Sequence, residues 1–187
     1  MPTTDRASTK DRLLDAAAEL FYRDGVSIGV EALCRTAGVS KRSMYQLFAS
    51  KDEVLAASLE RRAPAYERQL TPDDTGTPRE RILEVFERLE KASTQPEYRG
   101  CPFLSAMVEL KDPEHPASVV ASATKGRLTE AFRALAELGG ARDPQLLARQ
   151  LTLVFDGASA RAGARVETLD GLATATVTAL LDAAGVA

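Results

Sequence analysis

Over residues 40–46 the chain sets Ser40, Lys41, Arg42, Ser43, Tyr45 and Gln46 at the spacing of one short helix. Arginine or lysine can read guanine, glutamine can read adenine, and serine or tyrosine hydroxyls can hold phosphates. Lys51 follows a few positions later, so Lys41, Arg42 and Lys51 cluster where phosphates would lie beside such a helix. The residues in front supply a companion. Leu33 and Cys34 read as core positions of a preceding short helix, small Ala37 lets two helices approach, and Gly38 can take the left-handed conformation of a tight turn. Val39, Met44 and Leu47 are expected to plug the small core between them, leaving Lys41, Arg42, Ser43 and Gln46 outward. Helix, glycine turn and polar second helix make a helix-turn-helix, which lays a recognition helix in the DNA major groove.

Other chemistry is sparse. Cys101 and His115 form a sulfur–imidazole pair of the kind nucleophilic catalysis uses, so a helical-bundle enzyme is one alternative. Against it, no orienting group or oxyanion arrangement accompanies them, and His115, between Glu114 and Pro116, reads as a solvent-exposed turn residue. A thiol-based redox sensor at Cys101 is a second alternative, and it lacks a local basic cluster. Two cysteines and one histidine at scattered positions do not have zinc spacing, so neither metal nor cofactor is expected. Cys34 reads as a small buried apolar residue.

A chain of 187 residues can bury roughly 70% of its unfolded surface, enough for a core without staples. Cys34 and Cys101 lie in different segments with no CxxC pair, which fits a reducing cytosol. Residues 1–6 show no apolar run behind a basic cap, so no signal peptide is expected. No stretch approaches the ~18 apolar residues that span a membrane, so a soluble, cytoplasmic protein with no membrane partner is expected. The net charge of −3 hides a mild asymmetry: residues 1–62 carry ten Lys/Arg against nine Asp/Glu, and the remainder carries the acidic excess. That difference is small and by itself is no DNA-binding signal. Placement of the cations is the stronger signal.

Helical periodicity runs throughout, with no alternating strand pattern, and predicts an all-α protein of about nine helices. Leu13, Leu14, Ala17, Leu20 and Phe21 give an apolar face over about residues 9–23, closed by Gly25, and Gly29 opens the next helix. Ser40 caps the helix after the turn, and Ser50-Lys-Asp-Glu53 matches a capping box starting a longer helix. A turn-rich break spans 71–78. Beyond it, helices are expected near 79–92, 103–110, 117–138, from Pro144 onward, and near 167–184.

The run Ala37-Gly-Val-Ser-Lys-Arg-Ser-Met-Tyr-Gln-Leu-Phe48, followed by Ser50-Lys-Asp-Glu53, resembles the signature of tetracycline-repressor-like (TetR family) regulators over about residues 8–62. Arg42, and the absence of an aromatic at Gln46 or Leu47, depart from the family pattern and bear on the DNA sequence preferred. The resemblance implies that Tyr45 and Lys51 contact phosphates and that Lys41, Arg42, Ser43 and Gln46 face base edges or backbone. It further implies a homodimer on a double-stranded DNA operator and release from it when a small, largely apolar effector binds. The chain is then expected to divide into a helix-turn-helix DNA-binding domain, 1–50, and a helical effector-binding and dimerisation domain, 51–187, with a linking helix over about 51–70. Within the second part, Phe86, Phe103, Leu104, Met107 and Phe132 are candidates to line an apolar cavity, with simple core packing as the rival reading. Broad apolar faces at Leu147, Leu151, Phe155, Ala158 and Ala162, then at Leu172, Val177 and Leu181, suit packing across a two-fold axis or, alternatively, an internal helix pair.

Overall fold

Helix boundaries in this chain are set by side chains and glycines that answer unpaired backbone groups. A computed structural model describes residues 8–70 and 75–187; the reading of residues 1–6 and positions 71–74 of the turn-rich break lie outside them. Ser8 caps α1 (Thr9–Asp24), its hydroxyl accepting the Asp11 N–H at 3.1 Å while the Asp11 carboxylate turns back to Ser8. Those bonds from Ser8 also hold the Asp11 carboxyl below the usual carboxylate range. Helix α2 (Val30–Ala37) ends at Gly38, which has φ 62° and ψ 36°, the left-handed turn expected of it. Ser40 caps α3 (Lys41–Leu47), accepting the Ser43 N–H at 2.9 Å. Ser50 opens α4 (Lys51–Leu70) by accepting the Glu53 N–H at 3.1 Å, and the Glu53 carboxylate reaches the N–H of Ala49, one residue before the expected partner. Then follow α5 (Pro78–Ser93), α6 (Pro102–Leu110), α7 (Pro116–Leu138), α8 (Pro144–Gly163) and α9 (Leu172–Ala184). Nine helices and no strand make up the described residues.

The last helix starts five residues later than its periodicity suggests. Asp170 and Gly171 both take positive φ, at 40° and 87°, which breaks any helix running through 167–171. Leu169 is buried there, so the chain dips into the core before α9 begins.

Two clusters of buried residues hold the helices together. One gathers α1–α4 with Cys101, Phe103 and Ala106 of the α6 segment and Ala117 and Ala121 of α7. The other joins α5, the rest of α7, α8 and α9. Its centre is aromatic: the Phe86 ring lies 5.7 Å from Phe132, nearly parallel, and 6.1 Å from Phe155, edge-on. Beside it, Lys125 and Asp156 form a 2.5 Å ion pair between α7 and α8, with the ammonium 4.7 Å above the Phe155 ring. Lys125 is buried, so this cation depends on the carboxylate and the ring face for its stabilisation.

The apolar faces of the last two helices are mostly spent within the chain. Leu147, Leu151, Phe155, Ala158 and Ala162 of α8, with Val177 and Leu181 of α9, are buried in the second cluster. Of the eight positions expected at a two-fold interface, Leu172 alone is exposed. The buried stripes meet α5 and α7, and the reverse sides keep Leu146, Leu153 and Leu172 among smaller and polar residues.

Glycine decides one contact between backbones. A Cβ on Gly163 would stand 2.5 Å from the carbonyl of Arg99 and the N of Gly100, so α8 and the segment before α6 meet main chain to main chain. Gly163→Ala is expected to lower stability by about 1–3 kcal/mol in thermal or urea unfolding, because that overlap cannot relax through a flexible side chain. Gly126→Ala, in the middle of α7 with nothing within 4 Å of its added Cβ, should instead be neutral or raise stability by up to about 1 kcal/mol. Equal effects from the two substitutions would contradict this packing.

Candidate nucleic-acid interface

Helix α3 is fastened by its inner stripe and bare elsewhere. Met44 is fully buried, with the Cys34 thiol 3.8 Å from its sulfur, and Phe48 is buried after the helix turns into extended backbone at φ −142°. Leu47, expected in this core, is 43% exposed. Met44 and Phe48, four residues apart, occupy one side of the helix, and at 3.6 residues per turn Leu47 falls outside that stripe. Phe48, not Leu47, closes the small core. On the opposite side Arg42 and Gln46 are exposed at adjacent turns. Tyr45 stands on one flank, 53% exposed, and Ser43 and Leu47 on the other.

Two of the three cations around α3, Lys41 and Lys51, are already engaged. Lys41 reaches back to Glu31 on α2 at 2.5 Å, an exposed pair that lowers the Glu31 carboxyl and raises the Lys41 ammonium through their mutual hydrogen bond. Exposed pairs of this kind contribute little, so a phosphate can replace the carboxylate at small cost. Lys51 donates to the carbonyls of Val26 (2.8 Å) and Ile28 (3.1 Å), pinning the α1–α2 loop to the start of α4 and keeping one ammonium proton for another acceptor.

Several connections within the α1–α4 bundle and from it to the rest carry no sequence signal, because their partners lie far apart in the chain. The Glu109 carboxylate at the end of α6 accepts the Val26 N–H at 2.8 Å. The Tyr22 hydroxyl donates to the Gly100 carbonyl at 3.2 Å and accepts the Arg99 N–H at 2.8 Å. Arg62 of α4 donates to the Ala18 carbonyl at 3.0 Å, its guanidinium 5.1 Å from the Tyr22 ring centre. His115, expected to be a solvent-exposed turn residue, is only 13% exposed. Its Nδ1 accepts the Ala117 N–H at the start of α7, and its Nε2 lies 3.6 Å from Asp52 at the start of α4.

Two cavities flank Tyr66 and Leu70 of α4. One, of about 390 Å³, lies between α4, α5 and α7 and has Phe132, Val85, Leu128 and Leu135 in its wall. The other, of about 680 Å³, lies between α1, α4, α5, α8 and the segment leading into α6. Of the five residues expected to line a pocket, Phe132 alone does so. Phe86 and Phe103 are fully buried core, and Leu104 and Met107 pack against the first cluster, because α6 lies on α7 and turns its residues into the core shared with α1–α4. Cys101, which was not among the five, lines the larger cavity. The Tyr66 hydroxyl donates to its sulfur at 3.0 Å, and burial pushes the Tyr66 phenol well above its ordinary range. Burial likewise pushes Tyr98 up to about 12. Cys101 and His115 thus each have their own partners and are not brought together as a catalytic pair.

The family model of bacterial regulatory proteins, tetR family, matches residues 13–58, the stretch from α1 into α4. A solved structure assigned to the TetR transcriptional regulators, from Streptomyces avermitilis, is 60% identical over 97% of this chain and 100% of that one, with a TM-score of 0.94. The chain belongs to the TetR family. As a TetR-family member it is a DNA-binding regulator of transcription and not an enzyme. The HTH-type transcriptional regulator YjdC of Escherichia coli K12 is 28% identical over 156 residues, covering 81% of this chain and 82% of that protein. The TetR-family regulator CifR, solved as a cysteine mutant with a 26 bp operator duplex, shares the fold at 22% identity, with a TM-score of 0.73 and 98% of each chain covered. Among the described residues no helix is long and apolar enough to cross a membrane.

With the Glu31 carboxylate removed from Lys41, the ammonium is free for another anion, and Glu31→Gln is expected to tighten binding to duplex DNA about two- to five-fold at low salt. It should also steepen the fall of log K with log salt by up to roughly 0.9, because no freed carboxylate then takes up a cation as Lys41 turns to the DNA. Gel-shift titration across a salt series reads both quantities, and an unchanged or weaker affinity contradicts the competition.

Proposed function

We propose that this TetR-family chain acts as a repressor: a homodimer on a palindromic operator, displaced when a small molecule enters the helical part. The observation that carries this reading is the bare outer side of α3, polar at its crest, on a bundle tied at several points to the walls of two cavities. In this reading residues 1–50 are the DNA-binding head and residues 51–187 the effector and dimer part, with α4 joining them. Arg42 and Gln46 read base edges. Lys41, Ser43 and Tyr45 hold backbone phosphates, with Lys51 adding its remaining ammonium proton, and Ser40 keeps the N-terminal turn of α3 in shape. Leu47, exposed beside them, offers an apolar contact to a thymine methyl. The protein works in the cytoplasm, where its DNA is.

Support for the dimer comes from the reverse sides of α8 and α9. Leu146 and Leu153, seven residues apart on α8, are 49% and 72% exposed, and Leu172 on α9 is 52% exposed. Ala175, Thr176 and Ala179 continue the exposed side of α9 with small residues. Such a pair of faces packs closely against its own copy across a two-fold axis. Two α3 helices would then meet successive major grooves about 34–36 Å apart.

Effector release is a shift between two arrangements of the heads, biased by a ligand that prefers one of them. Helix α4 is suited to transmit it. Pro64 in its interior has no N–H for the Glu60 carbonyl, so the ladder lacks one bond between the half packed on the head and the half lining the cavities. Leu153→Arg tests the reading at its most exposed apolar position. The natural chain is expected to scatter light as a dimer at micromolar concentration, and the variant as a folded monomer whose affinity for operator DNA falls by about 100-fold or more as the two heads uncouple. A dimeric variant, or a monomer binding as tightly as the natural chain, overturns the two-fold arrangement.

A further inference from the structure

We infer that the larger cavity, between α1, α4, α5, α8 and the segment entering α6, takes a small organic anion with a flat apolar body, an aromatic carboxylate being the plainest representative. The inference rests on the effector reading above and names the ligand class.

Charge is the first argument. Arg62, Arg88 and Lys91 line this cavity, and no aspartate or glutamate among the described residues does. Arg88 is answered by Glu84, which accepts from its Nε and Nη2 at 3.1 and 2.6 Å. Arg62 is different: its polar contact is with the Ala18 carbonyl, its guanidinium lies against the Tyr22 ring, and no carboxylate among the described residues pairs with it. Lys91 lines the cavity and is exposed, with no carboxylate among the described residues in ion-pair distance. A half-buried guanidinium with no counter-ion gains most from an anion arriving in the cavity it faces. The smaller cavity is less one-sided, with Arg81 and Arg127 in its wall and Glu67 there pairing with Arg127 at 2.6 Å.

Shape and polarity fix the rest of the ligand. Tyr22, Tyr66, Tyr98 and Phe155 give the cavity aromatic walls, which suit a flat ring system. A volume of about 680 Å³ lies in the range that holds small organic ligands. The hydroxyl groups there are already satisfied, Tyr66 by Cys101 and Tyr98 by Ser159 at 3.2 Å, so they ask for no further polar partner. The anionic group therefore belongs at the Arg62–Lys91 side and the ring between the tyrosines.

Such a ligand would be felt by the head. Arg62 holds α1 through Ala18 and covers Tyr22, whose hydroxyl bonds Arg99 and Gly100. An anion that draws the guanidinium into the cavity competes with those contacts directly.

The test uses the full chain with 2-naphthoate and its uncharged isostere 2-naphthamide, followed by naphthyl fluorescence polarisation; the chain contains no tryptophan to interfere. The acid is expected to bind one site per protomer at least about ten-fold more tightly than the amide. Lys91→Gln should cut that preference about three-fold or more with the amide unchanged, Arg62→Gln should cut it further, and Ala92→Phe, which adds a ring to the cavity wall without adding a tryptophan, should remove both ligands. Equal affinity for acid and amide, no binding by millimolar ligand, or a preference that survives Lys91→Gln and Ala92→Phe overturns the site. The same titration repeated on the operator-bound protein separates the two readings. Acid that binds with the expected residue dependence yet leaves the DNA complex intact overturns the effector role and keeps the anion site. Release by the acid but not by the amide supports both.

Discussion

The backbone of Val26 is gripped from two sides, and the orientation of the DNA-binding head depends on it. Its N–H is answered by the Glu109 carboxylate from the end of α6, and its carbonyl by the Lys51 ammonium from the start of α4. Bonds with one charged partner are the stronger kind, though Glu109 is exposed and its share is about 1 kcal/mol or somewhat more. Neighbouring geometry reinforces the grip. Gly25 has φ 83°, and a Cβ there would come within 2.6 Å of Glu109, so the carboxylate fits because that residue is glycine. Helix α2, and through Gly38 helix α3, takes its position from a loop held by two different helices.

This arrangement makes α6 as much a part of the head as of the helical body. At its start Tyr22 of α1 bonds Arg99 and Gly100, and at its end Glu109 bonds Val26, so both ends are fixed to the first thirty residues. Just beyond it, His115 caps α7 and faces Asp52 of α4. The cores follow the same division, with α6 and the first turns of α7 buried together with α1–α4. Packed clusters of this density rearrange between discrete states and do not stretch, so a ligand that shifts the segment entering α6 moves the loop carrying α2 and α3 as well.

Local rules were readable from the sequence where the determinant is local. The glycine turn at Gly38, the cap at Ser40 and prolines opening α5, α6, α7 and α8 all depend on a few adjacent residues, and they fold as their types dictate. Amphipathic stripes showed that α8 and α9 bury a face, yet periodicity does not say against what. The large residues went to the chain's own core and left Leu146, Leu153 and Leu172 outside. Pocket residues were misplaced for a related reason: Phe86 and Phe103 are large and apolar, which qualifies them equally for core or cavity, and the core took them. The bonds from Glu109, Tyr22 and Arg62 to the head bridge gaps of tens of residues with no spacing rule behind them. Leu47 exchanged roles with Phe48 because the helix ends between them, and one residue of helical phase separates inside from outside.

The central claim is that the outer side of α3 selects the DNA. Its most direct measurement is sequencing of genomic fragments retained by the natural chain, beside those retained by the double variant Lys41→Ala, Tyr45→Ala. The account predicts a single palindromic sequence enriched by the natural chain, with half-sites about one helical turn apart, and no enrichment by the double variant. Enrichment of the same sequence by both proteins, or by neither, would contradict it.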